Sequence, residues 1–126
     1  MSKKKRASAR GTLPPIVEFP GRGRAVIEPS ELYSKGHPVP ERCVLCFFAE
    51  VLEESRRKGH LIPLTKLHGE GDPIVVFRHG SGDDAVTVAW PGLGAPFAVA
   101  TLEELIGLGV RRIIAVGGAG VLDSAH

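Results

Sequence analysis

The sequence lacks the features that mark several large classes of protein. Its unbroken apolar runs are only a few residues long, so no segment is predicted to span a bilayer. The basic opening MSKKKRASAR is followed by no apolar core, which argues against a secretory signal. There is no GxxxxGK[ST] pattern, which excludes a P-loop, and no GxSxG elbow that would present a catalytic serine. A cytoplasmic protein is the default expectation.

Cysteine is scarce, and its two copies, Cys43 and Cys46, form a single CxxC. No second CxxC accompanies the pair, and the five histidines show no metal-ligand spacing. Apolar residues recur at helical spacing through residues 41–58, so we expect a helix there with both cysteines in its first turns. Two thiols buried as small apolar side chains are favoured over a zinc site or a redox protein.

The positive charge is concentrated at the start of the chain. The net charge is +2, and the first ten residues hold a cluster of five basic side chains, Lys3, Lys4, Lys5, Arg6 and Arg10. A basic cluster without apolar periodicity buries little surface, so residues 1–12 are predicted to be a disordered, solvated tail. Nucleic-acid binding is not favoured. The remaining residues, 13–126, fit one domain.

Hydrophobic periodicity in this domain predicts an α/β fold. Extended segments are expected at 15–19 and 25–28, before a loop at 30–40, and a second helix is expected at 97–108. Gly59 is expected to end the first helix and Gly109 the second. The strands are predicted at 61–67, 74–78, 85–90 and 112–116, the first at a sheet edge because of Pro63 and the last buried. The polar turn at 79–84 predicts that the second and third of these strands form a hairpin. We expect strands 85–90 and 112–116 to be adjacent and parallel, in a mixed sheet with at least one right-handed βαβ crossover.

Two glycine loops stand at the carboxyl ends of predicted strands, where ligands of open α/β sheets bind. The first contains Gly92 and Gly94, which permit a sharp turn, and Ala95 opens the helix that follows. Amides at that helix start would face an anion. The second loop has the sequence Gly117, Gly118, Ala119, Gly120. Its small residues leave space for a flat ring or a sugar.

In order and spacing these pieces resemble the nucleoside phosphorylase family, which includes purine nucleoside and uridine phosphorylases and methylthioadenosine nucleosidases. The strongest stretch is residues 90–123, WPGLGAPFAVATLEELIGLGVRRIIAVGGAGVLD. The resemblance implies a mixed α/β sandwich that assembles into homo-oligomers. It also implies cleavage of the N-glycosidic bond of a nucleoside, with phosphate or water as the acceptor and no further cofactor.

The resemblance also suggests site residues. Arg24 falls near the family arginine that grips phosphate, and the two glycine loops match the lining of the substrate pocket. The lining residues are Gly92, Gly94, Ala95, Gly117, Gly118, Ala119 and Gly120. Phosphorylases place an arginine and a hydroxyl residue where this chain has Ala115 and Gly118, so the choice between phosphate and water stays open.

The family carries its methionine-glutamate ribose-binding segment and its base-protonating acid in a C-terminal half. The one methionine of this sequence is Met1. The resemblance therefore covers the N-terminal half of such a domain. It predicts a truncated chain that does not catalyse by itself and that exposes an apolar side of its sheet. The alternative is a non-catalytic binding or interaction module that keeps the glycine-lined pocket, with nucleic-acid contact through the tail.

Overall fold

The computed structural model describes residues 28–33, 39–67 and 72–120 of the chain. The basic tail, Arg24 and nearly all of the two N-terminal extended segments lie outside the described residues. The elements in chain order are α1 (Pro29–Leu32), β1 (Arg42–Cys46), α2 (Ala49–Arg57), β2 (Leu61–Leu67), β3 (Ile74–His79), a 3₁₀ turn (Gly82–Asp84), β4 (Val86–Ala89), α3 (Ala95–Gly107) and β5 (Arg112–Val116). The predicted α/β class is confirmed.

The five strands form one mixed sheet in the order β2-β3-β4-β1-β5. Strands β4, β1 and β5 are parallel, whereas β2 and β3 extend the sheet by antiparallel pairing. Helix α3 connects β4 to β5 as a crossover between parallel strands. The predicted adjacency of those two strands is wrong, because β1 lies between them.

The helix predicted over residues 41–58 is also wrong in its first part, where β1 lies. The run Cys43 to Phe48 is apolar at every position, which suits a central strand that is buried on both faces. In β1, Cys43 and Leu45 contribute to one core cluster, while Cys46 contributes to the other. Such a run also contains helical spacing, so periodicity alone could not separate the two structures.

Of the two long helices in the described residues, one packs on each face of the sheet. Leu105 of α3 packs with Leu45, Val76 and Ala89 on the first face. Leu52 of α2 packs on the second face, together with three buried residues, Cys46, Leu61 and Val88. We call these the α3 face and the α2 face.

Strand β2 supplies residues to both faces. Leu61 belongs to the α2-face cluster, and Leu67 belongs to the α3-face cluster, although six residues of regular strand would place both on one face. The register of β2 on β3 shifts between Pro63 and Thr65. This bulge inverts the alternation of side chains and so allows one strand to contact both cores.

Both long helices end in the same hydrogen-bonded motif. After α2, the amide of Gly59 donates to the carbonyl of Arg56, and that of His60 donates to the carbonyl of Ser55, each at 3.0 Å. Gly59 has φ of +74°, and its counterpart after α3, Gly109, has φ of +116°. Both glycines were predicted to end these helices. A left-handed residue at that position is the Schellman cap, which glycine adopts without steric cost.

Strand β5 was predicted to be buried, and this is wrong. It forms the sheet edge, where Ile114 is 66% exposed and Val116 is 42% exposed. The single turn α1 overlaps the start of the predicted loop at 30–40 and packs on α3, where the Tyr33 hydroxyl donates to the carboxylate of Glu104. In the described parts of the chain, no helix has the length and apolarity needed to cross a membrane.

Candidate functional site

The carboxyl ends of the three parallel strands lie level with one another. Leu45 of β1 is in register with Ala89 of β4 and with Ala115 of β5. Both glycine loops therefore leave the same edge of the sheet, and the exit of β1 lies between them. Neighbouring strands are about 4.8 Å apart, so the two loops begin roughly 10 Å from each other.

This edge contains a topological switch point between β1 and β4. From β1 the chain enters α2 on one face of the sheet, and from β4 it enters α3 on the other face. Where adjacent parallel strands feed helices on opposite faces, a crevice opens outside their carboxyl ends, and this is the usual ligand site of open α/β sheets.

The first glycine loop is packed against an aromatic ring. Gly92 has φ of +78°, and a β-carbon there would lie 2.2 Å from Cδ1 of Phe97. Gly94, with φ of +90°, is the N-cap residue of α3, and Ala95 is its first helical residue. The hydroxyl of Thr101, one turn later in α3, donates to the backbone carbonyl of Phe97 at 3.0 Å. The ring of Phe97 thus occupies the space next to Gly92.

The second glycine loop lies beside the exit of β1. The amide of Phe47 donates to the carbonyl of Val116 at 2.9 Å, which fixes the two strand ends together. A β-carbon at Gly117 would lie 3.4 Å from the β-carbon of Phe47, and one at Gly118 would lie 3.7 Å from the ring of Phe48. Ala119 is exposed and Gly120 faces open space. Two phenyl rings therefore occupy part of the space beside this loop that was predicted to be free for a ring or a sugar.

A cavity of about 310 Å³ opens beside the first loop on the α2 face. Trp90, the residue that follows β4, forms one wall and is 37% exposed. Leu52 and Phe77 contribute apolar surface to it. A second cavity of about 210 Å³ lies on the α3 face and is lined by Phe97 and Thr101. The Trp90–Gly92 turn therefore has a cavity on each side of the sheet.

Charged groups line the first cavity along α2. The guanidinium of Arg56 donates from Nε and Nη2 to the two carboxylate oxygens of Glu53, at 2.9 and 2.7 Å. This hydrogen bonding lowers the pKa of Glu53, so the carboxylate is ionised at neutral pH. Because the pair is exposed, it is available to hydrogen-bond a polar group of a ligand.

Both long helices begin at this edge without a side-chain cap. The N-cap residue is Phe48 for α2 and Gly94 for α3, and neither supplies a side-chain hydrogen bond to the helix. The first amides of each helix are therefore unpaired by side chains, and they carry the partial positive charge of the helix N-terminus. The edge as a whole combines these amides with aromatic surface.

Aromatic side chains are the component that the sequence analysis did not assign to the site. Four of the chain's seven aromatic residues lie at the carboxyl edge: Phe47, Phe48, Trp90 and Phe97. The available signal was their position, because each lies within two residues after a strand or in the first turn of the helix after a glycine loop. The phosphate-binding residue suggested by the resemblance, Arg24, lies outside the described residues.

The two cysteines lie at opposite ends of β1. Only Cys46 is near the carboxyl edge, where its buried thiol donates to the carbonyl of Phe48 at 3.7 Å. Cys43 and Cys46 are free and buried, and they belong to different core clusters on opposite faces of β1. Burial raises the pKa of the Cys43 thiol from 9.0 to about 11. Within residues 28–33, 39–67 and 72–120, no group of three or more His, Cys, Asp or Glu side chains is placed to hold a metal ion.

Comparison with known proteins gives no family assignment. No protein-family model matches the chain, and no curated protein sequence matches it significantly.

Proposed function

We propose that this chain is a nucleoside phosphorylase-like protein that binds a nucleoside, or its free base, at the carboxyl edge of its parallel strands. The observation that carries the proposal is the position of Trp90. It forms a wall of the cavity of about 310 Å³, next to the Gly92 turn and at the switch point between β1 and β4.

The shape and chemistry of that cavity suit a flat heterocycle. Its volume is at the low end of the range for small-molecule sites, roughly 300–1,000 Å³, which favours a ligand of nucleoside size over a dinucleotide. Trp90 and Phe77 supply aromatic surface for stacking. The Glu53–Arg56 pair supplies a hydrogen-bond acceptor and donors for the polar edge of a base.

The glycine loops provide the complementary part of the site. Helix α3 begins directly after Gly94, and the amides of its first turn, other than that of Pro96, which has no amide hydrogen, lie at the same edge as Trp90. Sugar hydroxyls or a phosphate would accept hydrogen bonds from these amides. The second loop, Gly117 to Gly120, leaves that edge two strands away and offers backbone without bulky side chains.

The sole tryptophan makes the proposal directly testable. Titration with adenosine, guanosine, uridine and the corresponding bases is expected to quench the fluorescence of Trp90 saturably. Stacking of one base on an aromatic residue is worth about 1–3 kcal/mol, so we expect Trp90→Leu to weaken binding roughly five- to 150-fold by calorimetry. Ile62→Ala, on β2 and outside both cavities, should bind like the wild type.

Absence of binding for every nucleoside and base, or equal affinities for the wild type and Trp90→Leu, would contradict the proposal.

Base release, measured with and without phosphate, then defines the activity. Release that requires phosphate indicates a phosphorylase, and release in water alone indicates a nucleosidase. We expect binding without measurable release. Glu53 lines the cavity but is ionised, so it is a poor donor of the proton that a departing base requires.

A further inference from the structure

The two edges of the sheet differ in how they are protected against pairing with another strand. At the β2 edge, Pro63 has no amide hydrogen, the register is broken between Pro63 and Thr65, and Lys66 is exposed. Proline, bulges and lysine are the means by which natural sheets prevent edge-to-edge association. These features disfavour the pairing of β2 with a strand of another chain.

The β5 edge has none of these features. Its five residues run in unbroken register with β1, from Arg112 opposite Arg42 to Val116 opposite Cys46. The three central residues are apolar, and Ile114 and Val116 are exposed on the α2 face. Among the described residues, β1 is the one strand that pairs with β5. A flat, exposed, apolar edge strand is a template for pairing.

The hydrogen-bonding pattern shows which backbone groups of β5 face outward. The amide of Arg112 donates to Glu41, and the carbonyl of Val116 accepts from Phe47, so both residues direct these groups toward β1. Because strand residues alternate, the amides and carbonyls of Ile113 and Ala115 point away from the sheet. These four groups lie on the open edge of β5.

We propose that β5 pairs with β5 of a second copy of this chain, antiparallel and about a two-fold axis at Ile114. In this register Ile113 lies opposite Ala115 of the second copy. The outward amide of each of these residues donates to the outward carbonyl of the other, so each pair exchanges two hydrogen bonds. All five residues of each strand are paired. Ile114 meets its own copy across the axis, which makes a closed, isologous interface and a continuous sheet through both chains.

The same register avoids charge repulsion. Arg112 lies opposite Val116 of the second copy, where its aliphatic stem covers the exposed valine. The two copies of Arg112 are then separated by four residues along the strands, about 14 Å at 3.4 Å per residue. That separation exceeds the Debye length of about 8 Å at physiological salt, so the like charges are screened. The edge is therefore self-complementary in backbone, side chain and charge.

Sedimentation velocity of the full chain over a wide concentration range tests the pairing. We expect a species of twice the 13.4 kDa chain mass. Ile114→Lys places two ammonium groups against each other at the axis and should give the single-chain mass. Ile62→Lys introduces the same charge at the β2 edge, where Ile62 is 47% exposed, and should leave the dimer intact. Circular dichroism should show that both variants are folded, since both side chains are exposed.

The register is tested by cross-linking. In a non-hydrogen-bonded antiparallel pair the α-carbons are about 4.5 Å apart, within disulfide range, so Ile114→Cys should form a disulfide-linked dimer on mild oxidation. Val116→Cys should not, because residue 116 lies opposite residue 112. A wild-type chain that is monomeric at all concentrations, a dimer that survives Ile114→Lys, a higher aggregate, or cross-linking at 116 instead of 114 would each overturn the proposal.

Discussion

The phenyl ring of Phe97 lies so close to Gly92 that a β-carbon on residue 92 would be 2.2 Å from the ring. Gly92 also has φ of +78°, which L side chains rarely adopt. The glycine is thus required twice, by its backbone conformation and by its neighbour. This contact joins the turn after β4 to the first turn of α3.

Gly92→Ala is expected to destabilise the fold by more than Gly94→Ala. Both positions have positive φ, which costs on the order of 1–3 kcal/mol for alanine. A β-carbon at residue 94 meets no atom closer than 4.0 Å, so this variant reports the backbone strain alone. Urea unfolding of the two variants gives the difference, which measures the ring contact. Equal losses would contradict a role for Phe97 in fixing this turn.

Leu105→Ala should be among the most destabilising single changes in α3. Leu105 is fully buried in the α3-face core, and truncation of a buried leucine to alanine costs about 2–5 kcal/mol. The matched control is its neighbour Ile106, which is 45% exposed, and Ile106→Ala should cost less than about 1 kcal/mol. Thermal or chemical unfolding compares the two. Similar losses for both would mean that α3 is rotated relative to the arrangement described above.

The two cysteines should remain reduced and react slowly in the native state. Cys43 and Cys46 project from opposite faces of β1, so they cannot form a disulfide with each other. Thiol titration without reductant is expected to find slow native reaction and two free thiols after denaturation. Ile62→Cys, at an exposed edge position, provides a fast-reacting control. An oxidised Cys43–Cys46 pair would contradict the strand assignment.

Stability should decrease as the pH rises from about 9 to about 11, in part because of Cys43. Burial raises the pKa of this thiol in the folded chain to about 11, from 9.0. Between these values the folded state retains a proton that the unfolded state has lost. The free energy of unfolding therefore falls as the pH rises through this range. Below pH 9 the stabilising contribution of the protonated thiol is fully present. Cys43→Ala should flatten this part of the stability profile. An unchanged slope would assign it to other groups.

The sequence predicted the antiparallel hairpin of β3 and β4, the crossover helix α3 and the C-terminal ends of both long helices, because these features are local. A glycine directly after an apolar helical pattern is a local stop signal, so the helix ends at Gly59 and Gly109 could be predicted without tertiary context. The strand at residues 42–46 could not be predicted from local sequence in the same way. A strand that is apolar on both faces shows the spacing of a helix as well, and the strands that bury it come later in the chain.

The candidate site was predicted in part for the same reason. Loops at the ends of parallel strands share an edge whatever the strand order, so the two glycine loops could be placed together. The strand between them, and with it Phe47 and Phe48, could not be placed while residues 42–46 were taken as helix. The exposure of β5 depends on sheet order, which hydrophobicity does not encode. The apolar run from Ile113 to Val116 would look the same in the sequence of a central strand and of an edge strand.

The position of β1 between two later strands has a consequence for how the chain is synthesised. On a ribosome the apolar run Cys43 to Phe48 emerges before either of its neighbours, since its pairing residues Thr87 and Ile113 follow much later. The hairpin of β2 and β3 is complete first, yet it can offer β1 no direct contact until β4 has been added at its side. Strand β1 gains its second neighbour only after β5 has left the exit tunnel. Until then the nascent chain carries a segment that is hydrophobic on both faces and paired on one side at most. Slow translation before β5 would prolong its exposure to chaperones.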